Sequence, residues 1–203
     1  MSIITKMKFS RSLDSENSIQ YITNVLDDDE QLGLQSLLLI NELKQPTVSI
    51  YGNRPKFYGT TFNHGTAPSK HYSQRPMTPM ASNFSKLIKD RYDQHFPNTF
   101  SKHYNCNLSY YSPDLANGGS RGKHQDNVKN IQLALVLVYS YGQDRQFSIF
   151  KDNKKILSVT LKENSILAMR GVTFQKTYFH QLDKLKKGVV AEDRVSFNTR
   201  YYI

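Results

Sequence analysis

Residues Ile131 to Tyr139 read IQLALVLVY, a nearly continuous apolar run. A strand with one face in water alternates apolar and polar residues, so an unbroken run predicts a strand that is buried on both faces. Further strands are predicted on either side of it, at 104–111, 147–150, 156–161, 165–169 and 194–200. Short strands at this spacing, closed by turn residues, predict a double-sheet jelly roll, a mainly β core with flanking helices in the α+β class.

Two helices are predicted in residues 1–45. Asp14 or Ser15 would cap the first helix, whose apolar residues recur at helical spacing. These residues are Ile19, Ile22, Val25 and Leu26. The three acids at 27–29 would begin the second helix, because carboxylates offset the positive end of the helix dipole. A metal site is the other interpretation of these acids, although three consecutive side chains diverge.

The chain has 203 residues, 38% of them hydrophobic, which suits one globular domain with a substantial core. The catalytic core is predicted over 100–203, with a scaffold helix from about residue 82 to residue 95 before it. No apolar run is long enough to span a bilayer, and the N-terminus has no apolar signal core. The one cysteine, Cys106, excludes an internal disulfide and fits a reducing compartment, so we expect an intracellular protein, cytoplasmic or nuclear. We also expect a monomer without membrane contact.

Residues 46–80 interleave aromatic and basic side chains in a protein of net charge +10. Aromatic faces stack on bases while cations meet phosphates, so this composition predicts a substrate lid over single-stranded DNA or RNA, or over an extruded base. The candidate substrate contacts are Tyr51, Phe57, Tyr58, His71 and Tyr72. The alternatives are a surface loop with short edge strands whose aromatics pack on the core, and a positive charge that serves only solubility.

The triplet His124-Gln125-Asp126 is a candidate catalytic metal site. Residues two apart in an extended strand point to the same side, so the His124 and Asp126 side chains would converge on one spot. With a second imidazole from His180, they would leave coordination positions open, as in the facial arrangement of non-haem iron(II) oxygenases. The triplet by itself is weak, because chance also produces it. His64 and His71 are the rival third ligands.

Two of the predicted strands would present polar side chains to that spot. The residues on one face of each strand are Asn105, Asn107, Ser109 and Tyr111 in the first, and Arg194, Ser196, Asn198 and Arg200 in the second. Guanidinium groups bind carboxylates through two parallel hydrogen bonds, and the arginines at the two ends of this face could both reach one small dicarboxylate. The alternatives are an ordinary strand tyrosine at 111 and an amphipathic edge strand with solvated arginines at 194–200.

This order of strands and polar residues resembles the AlkB-type 2-oxoglutarate and iron(II)-dependent dioxygenases, whose core is a double-stranded β-helix. The closing strand of that family reads Arg-x-Asn-x-Thr-x-Arg, and residues 194–200 keep both arginines at that spacing with Ser196 and Asn198 between them. The resemblance implies that Arg194 binds the distal carboxylate of 2-oxoglutarate and Arg200 the end nearer the iron. Ser109 and Tyr111 stand where the family has Asn-x-Tyr, which also contacts 2-oxoglutarate.

The resemblance further implies Fe(II) held by His124, Asp126 and His180, with O2 and 2-oxoglutarate as cosubstrates. Decarboxylation of 2-oxoglutarate to succinate would then accompany oxidation of a C–H bond, and an N-methylated base would lose its methyl group as formaldehyde. Arg145 resembles an arginine that the family keeps near the substrate, although a surface loop cation is an equal alternative. Residues 127–130 lack the acids that follow His-x-Asp in several family members, which leaves the base open.

Two other functions fit the same sequence. An oxygenase of this fold could hydroxylate protein side chains or free nucleosides, which would give little salt-dependent binding to oligonucleotides. A nucleic-acid-binding module without catalysis would bind oligonucleotides and take up no metal. The Gly- and Ser-rich stretch 112–123, with Arg121 and Lys123, is predicted to be a loop that borders a substrate channel.

Overall fold

The computed structural model describes residues 6–40, 56–59, 73–75, 79–100, 102–111, 113, 119–126 and 132–203. The elements in chain order are β1 (Lys8–Ser12), β2 (Ser18–Thr23), α1 (Asp28–Ile40), β3 (Lys56–Gly59), β4 (Ser73–Arg75), α2 (Pro79–Asp93), β5 (Lys102–Tyr111), β6 (Arg121–His124), β7 (Leu133–Gly142), β8 (Arg145–Lys151), β9 (Lys154–Leu161), β10 (Ser165–Arg170), α3 (Phe174–Thr177), β11 (Phe179–Leu182) and β12 (Arg194–Tyr202). None of the helices described here is both long and apolar enough to cross a bilayer.

The strands form two sheets. The larger has the order β1-β2-β10-β7-β12-β5-β3-β4, and the smaller has the order β6-β11-β8-β9. From β6 to β12 the chain passes repeatedly between the sheets, and the described pairs are antiparallel except for β3 with β4. The predicted strands and the predicted jelly roll, a double-stranded β-helix, are therefore confirmed.

β7 is the predicted strand with two buried faces. Leu135 and Leu137 on one face belong to a core cluster that includes Phe84 of α2. Val136 on the other face belongs to a second cluster with Phe147 of the smaller sheet. The helices thus cover the outer face of the larger sheet, and the smaller sheet covers its inner face.

Residues 8–23 form a β-hairpin, so the predicted first helix is wrong. β2 pairs with β1 on one side and with β10 on the other. Ile22 enters the cluster under the helices, whereas Ile19 and Tyr21 enter the cluster between the sheets. The spacing of three from Ile19 to Ile22 fits one face of a helix, but in a strand it places the two residues on opposite faces. Burial on both faces and pairing with β10 favour the strand, and local periodicity reports neither.

Asp14 caps the turn of this hairpin instead of a helix. Its Oδ1 accepts hydrogen bonds from the backbone N–H groups of Glu16 and Asn17, both at 2.8 Å. The Tyr178 hydroxyl donates to Oδ2 at 2.6 Å, and this bond is the main cause that holds the pKa of the carboxyl well below its usual value. The carboxylate therefore ties the hairpin to the chain between α3 and β11.

The predicted second and third helices are confirmed as α1 and α2. α1 begins with a reciprocal cap, because the Glu30 N–H donates to Asp27 Oδ1 at 2.9 Å and the Asp27 N–H donates to Glu30 Oε2 at 3.0 Å. Glu30 also pairs with Arg91 of α2. The acids that start α1 thus also join it to the neighbouring helix.

Candidate active site

A cavity of about 60 Å³ lies between the inner faces of the two sheets. Its lining includes nine of the predicted site residues: Ser109, Tyr111, His124, Asp126, His180, Arg194, Ser196, Asn198 and Arg200. The other lining residues are Asn107, Arg121, Val138, Phe147, Met169 and Leu182. The cavity is therefore built by β5, β7, β10 and β12 on one side and by β6, β8 and β11 on the other.

Three candidate metal ligands meet at one end of this cavity. His124 closes β6 and lies directly opposite His180 of β11 in the strand register, with 4.2 Å between the ring centroids. Asp126 Oδ1 lies 3.9 Å from His124 Nε2, and Asp126 Oδ2 lies 3.9 Å from His180 Nε2. One ligand atom from each residue lies within 4.8 Å of the others. Two imidazoles and one carboxylate are the donor set that non-haem iron(II) oxygenases use.

Asp126 reaches this position although it lies beyond the end of β6. Its backbone N–H donates to the Oε1 atom of Gln175, at 2.9 Å, and Gln175 is itself buried in α3. The convergence predicted from strand alternation is therefore right, but a hydrogen bond from another element produces it. Groups that hold metal ligands in this way usually affect metal affinity.

Both imidazoles are in the neutral form that a metal requires. Burial lowers the pKa of His180 to about 3, helped by the nearby His124 ring. Burial also lowers the pKa of His124, partly opposed by the carboxylate of Asp126. The Nδ1 atom of His124 lies 2.7 Å from the carbonyl oxygen of Gly122, which leaves Nε2 toward Asp126.

Arg200 joins the ligand group to β5. Its Nη2 and Nε donate to Asp126 Oδ2 at 3.1 and 3.3 Å, and its Nη1 donates to Asn107 Oδ1 at 2.7 Å. The guanidinium and the carboxylate are both about 95% buried, so water does not screen their attraction. This ion pair orients the carboxylate of Asp126.

Arg194 also lines the cavity, and only part of its guanidinium is hydrogen-bonded to the described residues. The residue is 1% exposed, its Nη2 donates to Ser140 Oγ at 3.0 Å, and its Nε and Nη1 have no hydrogen-bond partner among the residues that the structure describes. Its guanidinium carbon lies 5.0 Å from the centre of the Tyr111 ring. Burial lowers the pKa of Arg194 to about 10, so the group remains charged at neutral pH. A buried cation with two idle donors fits one carboxylate of a dicarboxylate such as 2-oxoglutarate.

The arginines of β12 are not solvated, so the alternative of an amphipathic edge strand is wrong. β12 pairs with β5 and β7 in the interior of the larger sheet. Ser196 Oγ donates to Asn198 Oδ1 at 2.8 Å on the inner face, between the two arginines. The polar residues predicted to share one face of this strand therefore line the cavity together.

Arg145 is buried at 2% exposure, which contradicts the surface loop alternative. Its Nη2 donates to the carbonyl oxygens of Gly119 and Asp183, and the residue lies outside the cavity lining. Contact between Arg145 and a substrate stays a prediction.

Sequence reasoning missed Gln175 as a support for Asp126, and it placed Arg121 on a loop that borders a substrate channel, whereas Arg121 lines the cavity from a strand. Arg121 begins β6 and so does not lie in the predicted loop. The Gly- and Ser-rich composition before it hid this short strand. No local signal identifies Gln175.

The predicted lid lies largely outside the described residues. Tyr51, His71 and Tyr72 fall there, as does His64, so their predicted contacts with a substrate or a metal stay predictions. Phe57 and Tyr58 belong to β3, which pairs with β5 at the edge of the larger sheet. Their side chains lie outside the described part of the chain.

The family model described as the 2OG-Fe(II) oxygenase superfamily matches residues 18–200. A comparison with curated protein sequences gave no match. Among solved structures, OsALKBH1 aligns with a TM-score of 0.59 and 18% identity, over 95% of this chain and 99% of that chain.

Two prolyl hydroxylase structures also share the fold. A prolyl-4-hydroxylase from Pseudomonas putida aligns with a TM-score of 0.55 and 13% identity, over 91% of each chain. A prolyl hydroxylase from Trichoplax adhaerens, in complex with a hypoxia inducible factor oxygen degradation domain peptide fragment, aligns with a TM-score of 0.55 and 14% identity, over 91% of this chain and 83% of that chain.

The family match begins at β2 and ends within β12, so it covers strands of both sheets and all three candidate ligands. The AlkB-type resemblance is thereby confirmed at the level of the superfamily, and Fe(II), 2-oxoglutarate and O2 are the cofactor and cosubstrates. The dicarboxylate that Arg194 fits and the donor set around Asp126 agree with that chemistry. The chain is therefore an Fe(II)- and 2-oxoglutarate-dependent dioxygenase that belongs to the 2OG-Fe(II) oxygenase superfamily.

Proposed function

We propose that this dioxygenase removes alkyl groups oxidatively from nucleobases of DNA or RNA. The observation that carries the proposal is the inner face of β12, where Arg194 and Arg200 keep the spacing of the AlkB-type closing strand and both line the cavity. The net charge of +10 favours a polyanionic substrate. The alignment with OsALKBH1, whose name marks an AlkB homologue, adds support to the same substrate class.

Within this proposal His124, Asp126 and His180 hold the iron. Arg194 receives the distal carboxylate of 2-oxoglutarate on its two idle donors, beside the Tyr111 ring. Ser109, Ser196, Asn198 and Arg200 face the rest of that molecule from β5 and β12. Arg200 serves both partners, since it already holds Asp126 and lies on the side nearer the iron.

The cavity has a charge surplus that suits an anionic substrate. Arg121, Arg194 and Arg200 line it against the single carboxylate of Asp126. Arg200 pairs with Asp126 and Arg194 is assigned to 2-oxoglutarate, while Arg121 adds a further guanidinium to the lining, in the part of the cavity that holds the partly exposed His124 and could meet a phosphate.

The bound iron would supply the oxidation of a C–H bond by O2, coupled to decarboxylation of 2-oxoglutarate. Overall, an N-methyl group, O2 and 2-oxoglutarate give an N-hydroxymethyl group, succinate and CO2, and the N-hydroxymethyl group then releases formaldehyde and leaves N–H. The chain orients both cosubstrates, excludes bulk water through Phe147, Met169 and Leu182, and keeps the two imidazoles neutral. No side chain has to act as a covalent nucleophile.

The test is formaldehyde release from methylated single-stranded DNA or RNA in the presence of Fe(II), 2-oxoglutarate and O2. The wild type should release formaldehyde and succinate in equal amounts, and His180→Ala should release neither. His95→Ala is the matched control, because this histidine lies beside Lys6 on the surface and outside the cavity. Succinate without formaldehyde from every methylated base would refute nucleobase dealkylation while leaving the oxygenase intact.

Hydroxylation of a protein side chain is the second candidate. The observation in its favour is the alignment of two prolyl hydroxylases at TM-scores close to that of OsALKBH1. It predicts weak oligonucleotide binding with little dependence on salt, whereas several phosphate contacts give a steep salt slope. A titration of oligonucleotide affinity against salt concentration therefore separates the two candidates.

A further inference from the structure

The outer face of the smaller sheet carries two phenylalanines side by side. Phe179 of β11 and Phe150 of β8 are direct partners in the strand register and are half-buried. Their neighbours along the same strands alternate into the core, where His180 and Ile149 point to the cavity side. The outward face of a sheet that meets water usually carries polar residues, as Gln146 does here.

Two lysines complete a row across all four strands of this sheet. Lys123 Nζ of β6 lies 5.6 Å from the centres of both phenylalanine rings. Lys155 Nζ of β9 lies 5.8 Å from the centre of the Phe150 ring. We name Lys123, Phe179, Phe150 and Lys155 the outer row. It places two aromatic faces between two cations, on strands about 4.8 Å apart.

We propose that the outer row binds the single-stranded part of a nucleic acid, with bases stacked on the two rings and phosphates on the two lysines. Aromatic platforms flanked by cations bind single strands in this way on other sheets, without sequence preference. The proposal rests on the proposed function and deepens it, since it names the surface that holds the strand outside the active site.

Charge complementarity favours a polyanion at this surface. Lys151 and Lys154 flank the exposed turn between β8 and β9, at paired positions that alternate to the opposite side of the strands from Phe150 and Lys155. The acids present are Asp152 in the turn and Asp183, which accepts from Lys155 at 3.2 Å. On the outer face itself Lys123 and Lys155 stand against Asp183, which leaves an excess of positive charge on a chain whose net charge is +10.

The outer row also continues to the active site. Among the described strands, β6 lies at the edge of the smaller sheet. Lys123 on its outer face is followed directly by His124, whose side chain is 25% exposed and lines the cavity. A strand held on the outer row therefore passes the edge of β6 close to the opening beside His124.

The plainer explanation is that the lysine side chains only cover the rings. Lysine stems commonly lie on apolar surface and gain from the ring face in doing so. That explanation needs no ligand, and it predicts that the type of apolar residue at 150 and 179 has no effect on oligonucleotide binding. The stacking proposal requires aromatic rings at both positions.

Fluorescence anisotropy with a labelled single-stranded oligothymidylate of about 12 nucleotides tests the proposal on the whole chain without turnover. The double variant Phe150→Leu and Phe179→Leu keeps apolar side chains, and we expect its Kd to rise about tenfold because stacking is lost. The double variant to Tyr should bind within about twofold of the wild type, because it keeps the rings. Thermal unfolding verifies that both variants are folded.

Lys123→Ala should weaken binding and lower the slope of affinity against salt by about one. Lys86→Ala is the matched control, because it removes the same charge from an exposed position on α2, where Lys86 pairs with Asp90. Its slope should equal that of the wild type. Polyglutamate of equal charge should fail to displace the oligonucleotide.

Equal binding by the Leu variant and the wild type overturns the outer row, as does equal displacement by polyglutamate or an equal loss in Lys86→Ala. If the double Leu variant binds the oligonucleotide as the wild type does and demethylation still occurs, the outer row is refuted and the proposed function stands. Stacking-dependent binding without any demethylation would refute the proposed function and leave the outer row as a nucleic-acid surface. The two failures are therefore distinguishable.

Discussion

Replacement of Arg194 by Met should raise the stability of the ligand-free protein and, in the same variant, strongly weaken the binding of 2-oxoglutarate. The residue is 1% exposed, and its Nη2 donates to Ser140. Its Nε and Nη1 have no hydrogen-bond partner in the described part of the chain. A buried guanidinium with unpaired donors destabilises the protein as long as no carboxylate is bound to it. Methionine is apolar, similar in length and flexible enough to fill the same space.

The stability gain follows from the two idle donors. Each unsatisfied buried donor costs about 1–3 kcal/mol, so removing both gains about 2–6 kcal/mol. The contact with the Tyr111 ring and the hydrogen bond to Ser140 are lost in exchange, together about 2–4 kcal/mol. The midpoints of the gain and the loss differ by about 1 kcal/mol, so the ligand-free variant should be more stable by about that amount, which raises the Tm of a chain of this size by about 2–4 °C.

The loss in binding follows from the same two donors. Two charge-assisted hydrogen bonds to a carboxylate are worth about 3–6 kcal/mol. The Kd for 2-oxoglutarate should therefore rise about 10²- to 10⁴-fold in Arg194→Met. Arg194→Lys should also lose affinity, because an ammonium group lacks the planar fork.

Thermal unfolding of the ligand-free protein and calorimetric titration with 2-oxoglutarate measure the two effects. Thr160→Ala is a matched control, since this threonine pairs with Gln146 on the other sheet, away from the cavity. A lower Tm of ligand-free Arg194→Met would refute the stability effect, and 2-oxoglutarate binding within about threefold of the wild-type affinity would refute the role of Arg194 in binding.

Three further predictions concern the metal ligands and the backbone. Gln175→Leu removes the acceptor of the Asp126 N–H and should weaken Fe(II) binding about 10-fold or more, measured by metal titration; unchanged affinity would contradict the supporting role. Asp14→Asn should destabilise the protein by about 1–2 kcal/mol at neutral pH. The pKa of Asp14 is lowered in the folded protein, so the stabilisation by its carboxylate is present above the ordinary aspartate pKa and is lost as the pH falls through the folded value. The free energies of unfolding of wild type and variant, measured by chemical denaturation, should therefore converge in acid. Gly142→Ala should cost about 2 kcal/mol or more, because φ is +82° and the new Cβ would lie 2.2 Å from the Asp193 carbonyl oxygen; an unchanged Tm would refute this.

Much of the cavity wall was predictable from local pattern. Alternation with a period of two placed Ser109 and Tyr111 on one face of β5, and Arg194 and Arg200 on one face of β12, without any knowledge of their neighbours. The cap of α1 was predictable for the same reason, because Asp27 and Glu30 are three residues apart and act on adjacent backbone.

The amino-acid sequence by itself determined the strands of the jelly roll, the pair of His124 and Asp126 and the arginine pair, because strand alternation, turns and helix caps depend on residues close along the chain. His180 was assigned only through the resemblance to the AlkB-type family. Only the tertiary structure decided that residues 8–23 form a hairpin, since pairing with β10 satisfies a backbone that could also have been helical. It also decided the ion pair of Arg200 with Asp126 across 74 residues and the hydrogen bond that holds Asp126 beyond its strand. Such contacts join distant segments, and their energy depends on burial that no local pattern contains.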